Sequence, residues 1–155
     1  MKLIIGNKNY SSWSLRPWLL LSAFDLPFEE VRIPLFVDGF KAEIEQHSAA
    51  GIVPVLHDNG LVVWDSLAIC EYVSEKYLGG KGWPEDERMR AEARSCCAEM
   101  HSGFAALRND MPMNCRALDR KVDITPELQT DISRIDSLWS SLTSRYIDLG
   151  PWLFG

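Results

Sequence analysis

The hydrophobic period of this chain changes once, and that change divides it. As far as Tyr77, short apolar or alternating runs interleave with helix-like segments. Beyond Pro84 only three- and four-residue spacing remains. The break falls on Gly79-Gly80-Lys81-Gly82, a run rich in the residue that ends helices. The pattern predicts an α/β domain over residues 1–80 and an all-helical domain over 83–155. In the first, Lys2–Ile5 reads as a buried strand, 12 or 14 to 24 as a helix and 29–35 as a second strand. Residues 38–48 read as a short helix or loop. Strands at 53–57 and Leu61–Trp64 flank Asp58-Asn59-Gly60, a hairpin turn. A helix over 67–77 follows. The order βαβ then ββα predicts a four-strand mixed sheet with helices on both faces. In the second domain, Met89, Ala93, Cys96, Cys97, Met100, Phe104 and Leu107 predict one long helix. Leu128, Ile132, Ile135, Leu138, Trp139, Leu142 and Tyr146 predict another.

Composition narrows the function classes. Apolar residues make up 46 % of the 155, enough for a sizeable core. The net charge of −6, with no Lys/Arg stripe, argues against a nucleic-acid partner. No apolar run is long enough to span a bilayer. Lys2 followed by only three apolar residues is not a signal peptide. Cys70, Cys96, Cys97 and Cys115, with His47, His57 and His101, show no metal-ligand spacing. They read as reduced thiols of a cytoplasmic protein, with no metal.

The stretch with most chemical content is Tyr-Ser-Ser-Trp-Ser-Leu-Arg-Pro over residues 10–17. It carries a strand into a helix whose first turn holds Arg16 and Pro17. A proline is tolerated there because its missing N–H has no helical partner. The serines read either as plain helix caps or as hydroxyls gathered at a helix N-terminus, where an anion or a thiolate is stabilised.

Three motifs together resemble the cytosolic glutathione transferase superfamily. Ser11-Ser12-Trp13-Ser14 stands where thioredoxin-like proteins have Cys-x-x-Cys, with Arg16 where several transferase classes have an arginine. Ile52-Val53-Pro54-Val55-Leu56 is similar to the family's Val-Pro-x-Leu strand. Trp64-Asp65-Ser66-Leu67-Ala68-Ile69 is similar to its acidic-Ser-x-Ala-Ile motif. The Ser-Ser-x-Ser-x-Arg arrangement is closest to the serine-type zeta class, from which Trp13 departs, since that class has cysteine there.

The resemblance implies a thioredoxin-like domain joined to a helical one, a homodimer, and glutathione with a small electrophile as substrates. It implies that Ser11, or Ser12 after a one-residue shift, donates to the glutathione thiolate, with Arg16 steadying the charge. Val53, ahead of a cis Pro54 on an edge strand, would meet the cysteinyl backbone by strand addition. Ser66 and the free N–H groups of its helix would hold the γ-glutamyl carboxylate, and Asp65 the amine. Lys41 and His47 lie on the segment that, in the family, approaches the glycyl carboxylate. The leading expectation is a glutathione transferase; the alternatives are a zeta-like cis-trans isomerase and a non-catalytic binding protein. A disulfide oxidoreductase is disfavoured because Ser11 and Ser14 are not cysteines. The family's helical domain also has further helices. The one here is therefore expected to be incomplete, with an apolar face of Phe104, Leu107, Leu138, Leu142 and Trp152-Leu153-Phe154 left uncovered.

Overall fold

The computed structural model describes residues 1–150, 153 and 154. The chain forms two compact units, Met1–Gly82 and Trp83–Gly155.

The first unit is a four-strand sheet in the order β2-β1-β3-β4. β1 (Lys2–Ile5) pairs parallel with β2 (Glu29–Arg32) and antiparallel with β3 (Val55–Asp58), which pairs antiparallel with β4 (Leu61–Trp64). The parallel pair is joined through α1 (Ser12–Ala23), and α2 (Phe40–Glu45) leads from β2 to β3. The β3–β4 turn has Asn59 at φ 49° and Gly60 at φ 85°. Two successive left-handed residues match the twist of a tight hairpin, which is why Asn-Gly is favoured there. α3 (Ser66–Leu78) closes at Gly79, whose left-handed backbone a side chain would resist.

Alternation along β1 sends side chains to both faces of the sheet. Leu3 and Ile5 join Leu21, Leu56, Ile69 and Val73 under α1 and α3. Ile4 joins Ile33, Ile44 and Val55 on the opposite face, under α2. All ten of these residues are buried. At about 1.5 to 3 kcal/mol for each large side chain taken out of water, these two layers are the main favourable term in holding the sheet.

Two strands are shorter than their sequence pattern. The second was expected to run to Leu35 but stops at Arg32. Ile33 N still donates to Ile5 O at 2.9 Å, after which Pro34 has no N–H to offer. The third was expected from Val53 but starts at Val55, because Pro54 likewise cannot donate to the ladder. β3 is also an interior strand, not the edge strand expected.

In the second unit the single long helix expected through Met89 to Leu107 is two. α4 (Glu87–Ser102) ends where Gly103 turns extended and Phe104 left-handed at φ 63°. α5 (Ala105–Asp110) then starts in a new direction. Arg108 closes the break, donating from Nε to Gly103 O at 3.1 Å and from Nη2 to Met100 O. A cation on the last carbonyls of a helix satisfies them and suits its dipole. α6 (Pro126–Tyr146) begins under a Thr125 cap, whose Oγ1 accepts from Leu128 N at 3.2 Å. Asp131 of α6 accepts from Leu107 N at 3.1 Å. Arg134–Glu99 and Arg145–Glu92 pair α6 with α4, and the arginines hold both carboxyls below their usual range. Phe104 (7 % exposed) and Leu142 (0 %) are buried, contrary to the uncovered face expected of them. Leu107 and Leu138 are half-buried, and Trp152 lies outside the described residues. Cys97, expected on the apolar face, is exposed, whereas Cys96 is half-buried and its thiol is pushed up by burial.

Candidate functional site

The register of the sheet gathers most of the expected residues at one end. Ile4 of β1 lies opposite Val55, and Val55 opposite Trp64. The chain leaving β1 toward Ser11, the Val53–Pro54 peptide entering β3, and Asp65 leaving β4 are therefore at the same sheet end. The Val53–Pro54 bond is cis. The ladder begins at Val55, so the N–H and C=O of Val53 lie beyond its last pair.

At the start of α1, Ser11 occupies the cap position, yet its side chain caps no N–H. Its Oγ donates to Ser14 Oγ at 2.8 Å, and Ser14 Oγ also accepts from Gly6 N at 3.0 Å. The plain-cap reading of Ser11 therefore fails: the hydroxyl is fixed across the first turn by a second serine. Ser11 is 8 % exposed. Gly6 lies close by: a Cβ there would stand 3.2 Å from Ser11 Cβ, a tight contact, and 2.5 Å from Leu35 Cδ1, which would have to shift. Ser12 is half-exposed at the first position of α1.

Arg16 connects the two helix starts. Its guanidinium lies 4.2 Å from the centre of the Trp13 ring, within cation–π range, and Nη1 donates to Ser66 Oγ at 3.4 Å. Ser66 is 1 % exposed at the first position of α3. Asp65 precedes it with φ 76° and ψ 132°, an unusual backbone for a residue with a side chain. Its Oδ1 accepts from Leu67 N at 2.9 Å and Ala68 N at 3.2 Å. Asp65 is thus the cap of α3, and it engages two N–H groups expected to receive a ligand carboxylate.

For two of the expected residues, Lys41 and His47, the contacts among the described residues are not with Ser11, Arg16 or Ser66. Lys41 is exposed on α2. The His47 ring packs 5.7 Å from that of His57, whose Nε2 donates to His47 O at 2.8 Å. His57 lies opposite Lys2, at the far end of β1 from Ser11. Ser14, Gly6 and Trp13 were not picked out as site residues. The three-residue step from Ser11 to Ser14 was the available signal, since it stacks two hydroxyls on one helix face.

Residues 10–76 match the family model described as glutathione S-transferase, N-terminal domain. Residues 10–76 are thus similar to a glutathione S-transferase N-terminal domain. Among its relatives, glutathione S-transferase hmp2 of Hypomyces subiculosus is 36 % identical over 86 residues, 53 % of this chain and 41 % of the relative. A probable maleylacetoacetate isomerase of Caenorhabditis elegans is 32 % identical over 98 residues, 63 % of this chain and 45 % of the relative. The chain thus spans less than half the length of each. In solved structures, a bacterial zeta-class glutathione S-transferase, maleyl pyruvate isomerase in its holo form, superposes with a TM-score of 0.68 at 26 % identity. That match covers 100 % of this chain and 74 % of the other. The transferase fold assigned from the three sequence motifs is the fold observed. No helix among the described residues is long and apolar enough to cross a membrane, and no cluster of His, Cys, Asp or Glu among them could hold a metal ion.

Proposed function

We propose that this protein is a glutathione transferase whose Ser11 hydroxyl holds the thiol of glutathione as a thiolate for attack on a small electrophile. The observation that carries the reading is the meeting of two helix starts through Arg16 and Ser66, with Val53–Pro54 at the same sheet end. Each part suits one piece of a tripeptide with two carboxylates, an amine and a thiol. Val53 offers main-chain groups to the cysteinyl residue, in the manner of strand addition. Ser66 and the Arg16 guanidinium suit the γ-glutamyl carboxylate. Asp65 suits the amine as counter-charge. Ser11, with Ser12 beside it as second choice, faces the sulfur, and Ser14 and Gly6 fix the Ser11 side chain. The unusual backbone of Asp65 supports a binding role, since such conformations gather at ligand sites. Lys41 and His47 are left out of the site proposed. We place the protein in the cytoplasm, as a homodimer, on the pattern of the family.

A calorimetric titration with reduced glutathione tests the binding step. Saturable binding with one site per chain is expected; no heat at millimolar ligand contradicts the reading. Asp65→Asn separates the residue's two roles. Asparagine caps helices as well as aspartate does and has nearly the same shape, so it meets the same backbone cost and the fold is expected to melt unchanged. The loss of a charged partner for the ligand amine is expected to weaken glutathione by about 1.5 to 3 kcal/mol. Unchanged affinity would leave Asp65 as a cap alone.

The likeness to two proteins named as isomerases favours one second reading, glutathione-dependent cis-trans isomerisation. Turnover of a cis-enone but not of an aryl halide would select it.

A further inference from the structure

We propose that Trp13 is a positioning residue: its indole face holds the Arg16 guanidinium beside Ser66, so that the γ-glutamyl carboxylate meets a cation already in place. The role rests on the reading of Arg16 and Ser66 as the anchor of that carboxylate.

Folding alone does not account for Trp13. α1 carries two tryptophans, and they are used differently. Trp18 packs against the first core cluster, and its Nε1 donates to Glu30 Oε2 at 2.9 Å. Trp13 is half-buried in the first turn and belongs to neither cluster. Helix propensity does not call for it either, since tryptophan ranks below leucine, arginine and alanine there.

The Trp13 ring instead meets Arg16. Arg16 Cζ lies 4.2 Å from the ring centre, inside the range of about 6 Å over which a cation is drawn to an aromatic face, and tryptophan offers the strongest such face. Residues three apart are neighbours on a helix. Long helical side chains lean toward the N-terminus, so the helix itself lays Arg16 back over Trp13. From that position Nη1 donates to Ser66 Oγ at 3.4 Å. The bond is long, and the ring adds a constraint that it supplies only weakly. A cation–π contact also consumes no N–H donor, and a guanidinium has five to offer a carboxylate. A free arginine loses rotamer freedom when it closes on an anion. One already stacked on an indole has lost it beforehand, and binding gains by that difference.

The test is a double-mutant cycle, read by calorimetric titration of the 155-residue chain with reduced glutathione. Trp13→Leu keeps apolar bulk and suits a helix but has no ring face. It is expected to weaken glutathione roughly three- to tenfold. Trp13→Phe, which restores a ring face, is expected to recover most of that loss. Arg16→Ala is expected to weaken glutathione by about tenfold or more, and Trp13→Leu added to it should change little further. Wild-type affinity in Trp13→Leu overturns the role. So does an equal loss with and without Arg16, which is what packing alone would give, and so does a Trp13→Phe variant as weak as Trp13→Leu. Full affinity in Arg16→Ala removes the anchor, and this role with it, but leaves Ser11 and the thiol standing. Failure of the wild type to bind glutathione overturns the glutathione reading itself.

Discussion

Ser11→Ala is expected to lower turnover of an aryl halide at neutral pH by about ten- to a hundredfold, with little change in glutathione affinity at acidic pH. The hydroxyl is placed to bond a sulfur that is charged when it reacts, and the tripeptide is held by other groups. The loss is therefore of thiolate stabilisation, not of general binding. Ser14 sharpens the test. In the free protein Ser11 Oγ donates to Ser14 Oγ, so its hydrogen must turn from one oxygen to the sulfur. Ser14→Ala removes the competing acceptor and the link to Gly6 N. It is expected to leave Ser11 less fixed, with a milder loss than Ser11→Ala. Ser11→Cys puts a thiol at a helix start, where its own pKa falls. It is expected to form a mixed disulfide with oxidised glutathione and gain thiol transfer as conjugation declines. If Ser12→Ala reproduces the loss and Ser11→Ala does not, the two serines exchange roles.

The largest effect on stability is expected at Asp58, far from that chemistry. It is 4 % exposed at the end of β3. Its Oδ2 accepts from Lys76 Nζ at 2.9 Å, from Tyr72 Oη at 2.7 Å, and from Tyr77 Oη. The Asn59 side chain donates to Oδ1 at 3.1 Å. The carboxylate therefore ties the β3–β4 hairpin to the last turns of α3. Lys76 and then Tyr77 hold its carboxyl far below the usual range, against the opposing effect of burial. Asp58→Ala is expected to cost about 2 to 3 kcal/mol in urea unfolding at neutral pH, as a buried, charged acceptor is lost to several donors. The sign of the pH dependence follows from the lowered pKa. The unfolded chain takes up the proton first, near the ordinary value of about 3.9, so the contribution is full above that pH and fades as pH falls below it. The gap between wild type and variant should narrow on acidification. A gap constant from neutral pH to pH ~3 would show that the carboxylate's charge is irrelevant.

Sequence reached the elements governed by local chemistry. The Asn59-Gly60 turn, the β4 span and the Thr125-Pro126 helix start each follow from a few adjacent residues. It overran the strands at Pro34 and Pro54, where hydrophobic alternation continues although the hydrogen-bond donor is missing. It ran one helix through Gly103 and Phe104, because the periodicity of Met100, Phe104 and Leu107 survives the break. Motifs singled out Ser11, Arg16, Val53, Pro54, Asp65 and Ser66, which the sheet register gathers at one end. They could not show that Asp65 uses its carboxylate on its own helix, or that His47 turns to His57. Those outcomes depend on which residues meet across the fold. The same holds for Asp58, whose α3 partners lie 14 to 19 residues away.

The most direct measurement is an ultraviolet titration of the glutathione thiol in the presence of saturating wild-type protein. A free thiol titrates near ~8.5. With a hydroxyl donor at a helix start, the bound thiol is expected to titrate about one to two units lower. It should return toward the free value in Ser11→Ala. A bound thiol in the wild type that titrates at the free value would contradict thiol activation by this site.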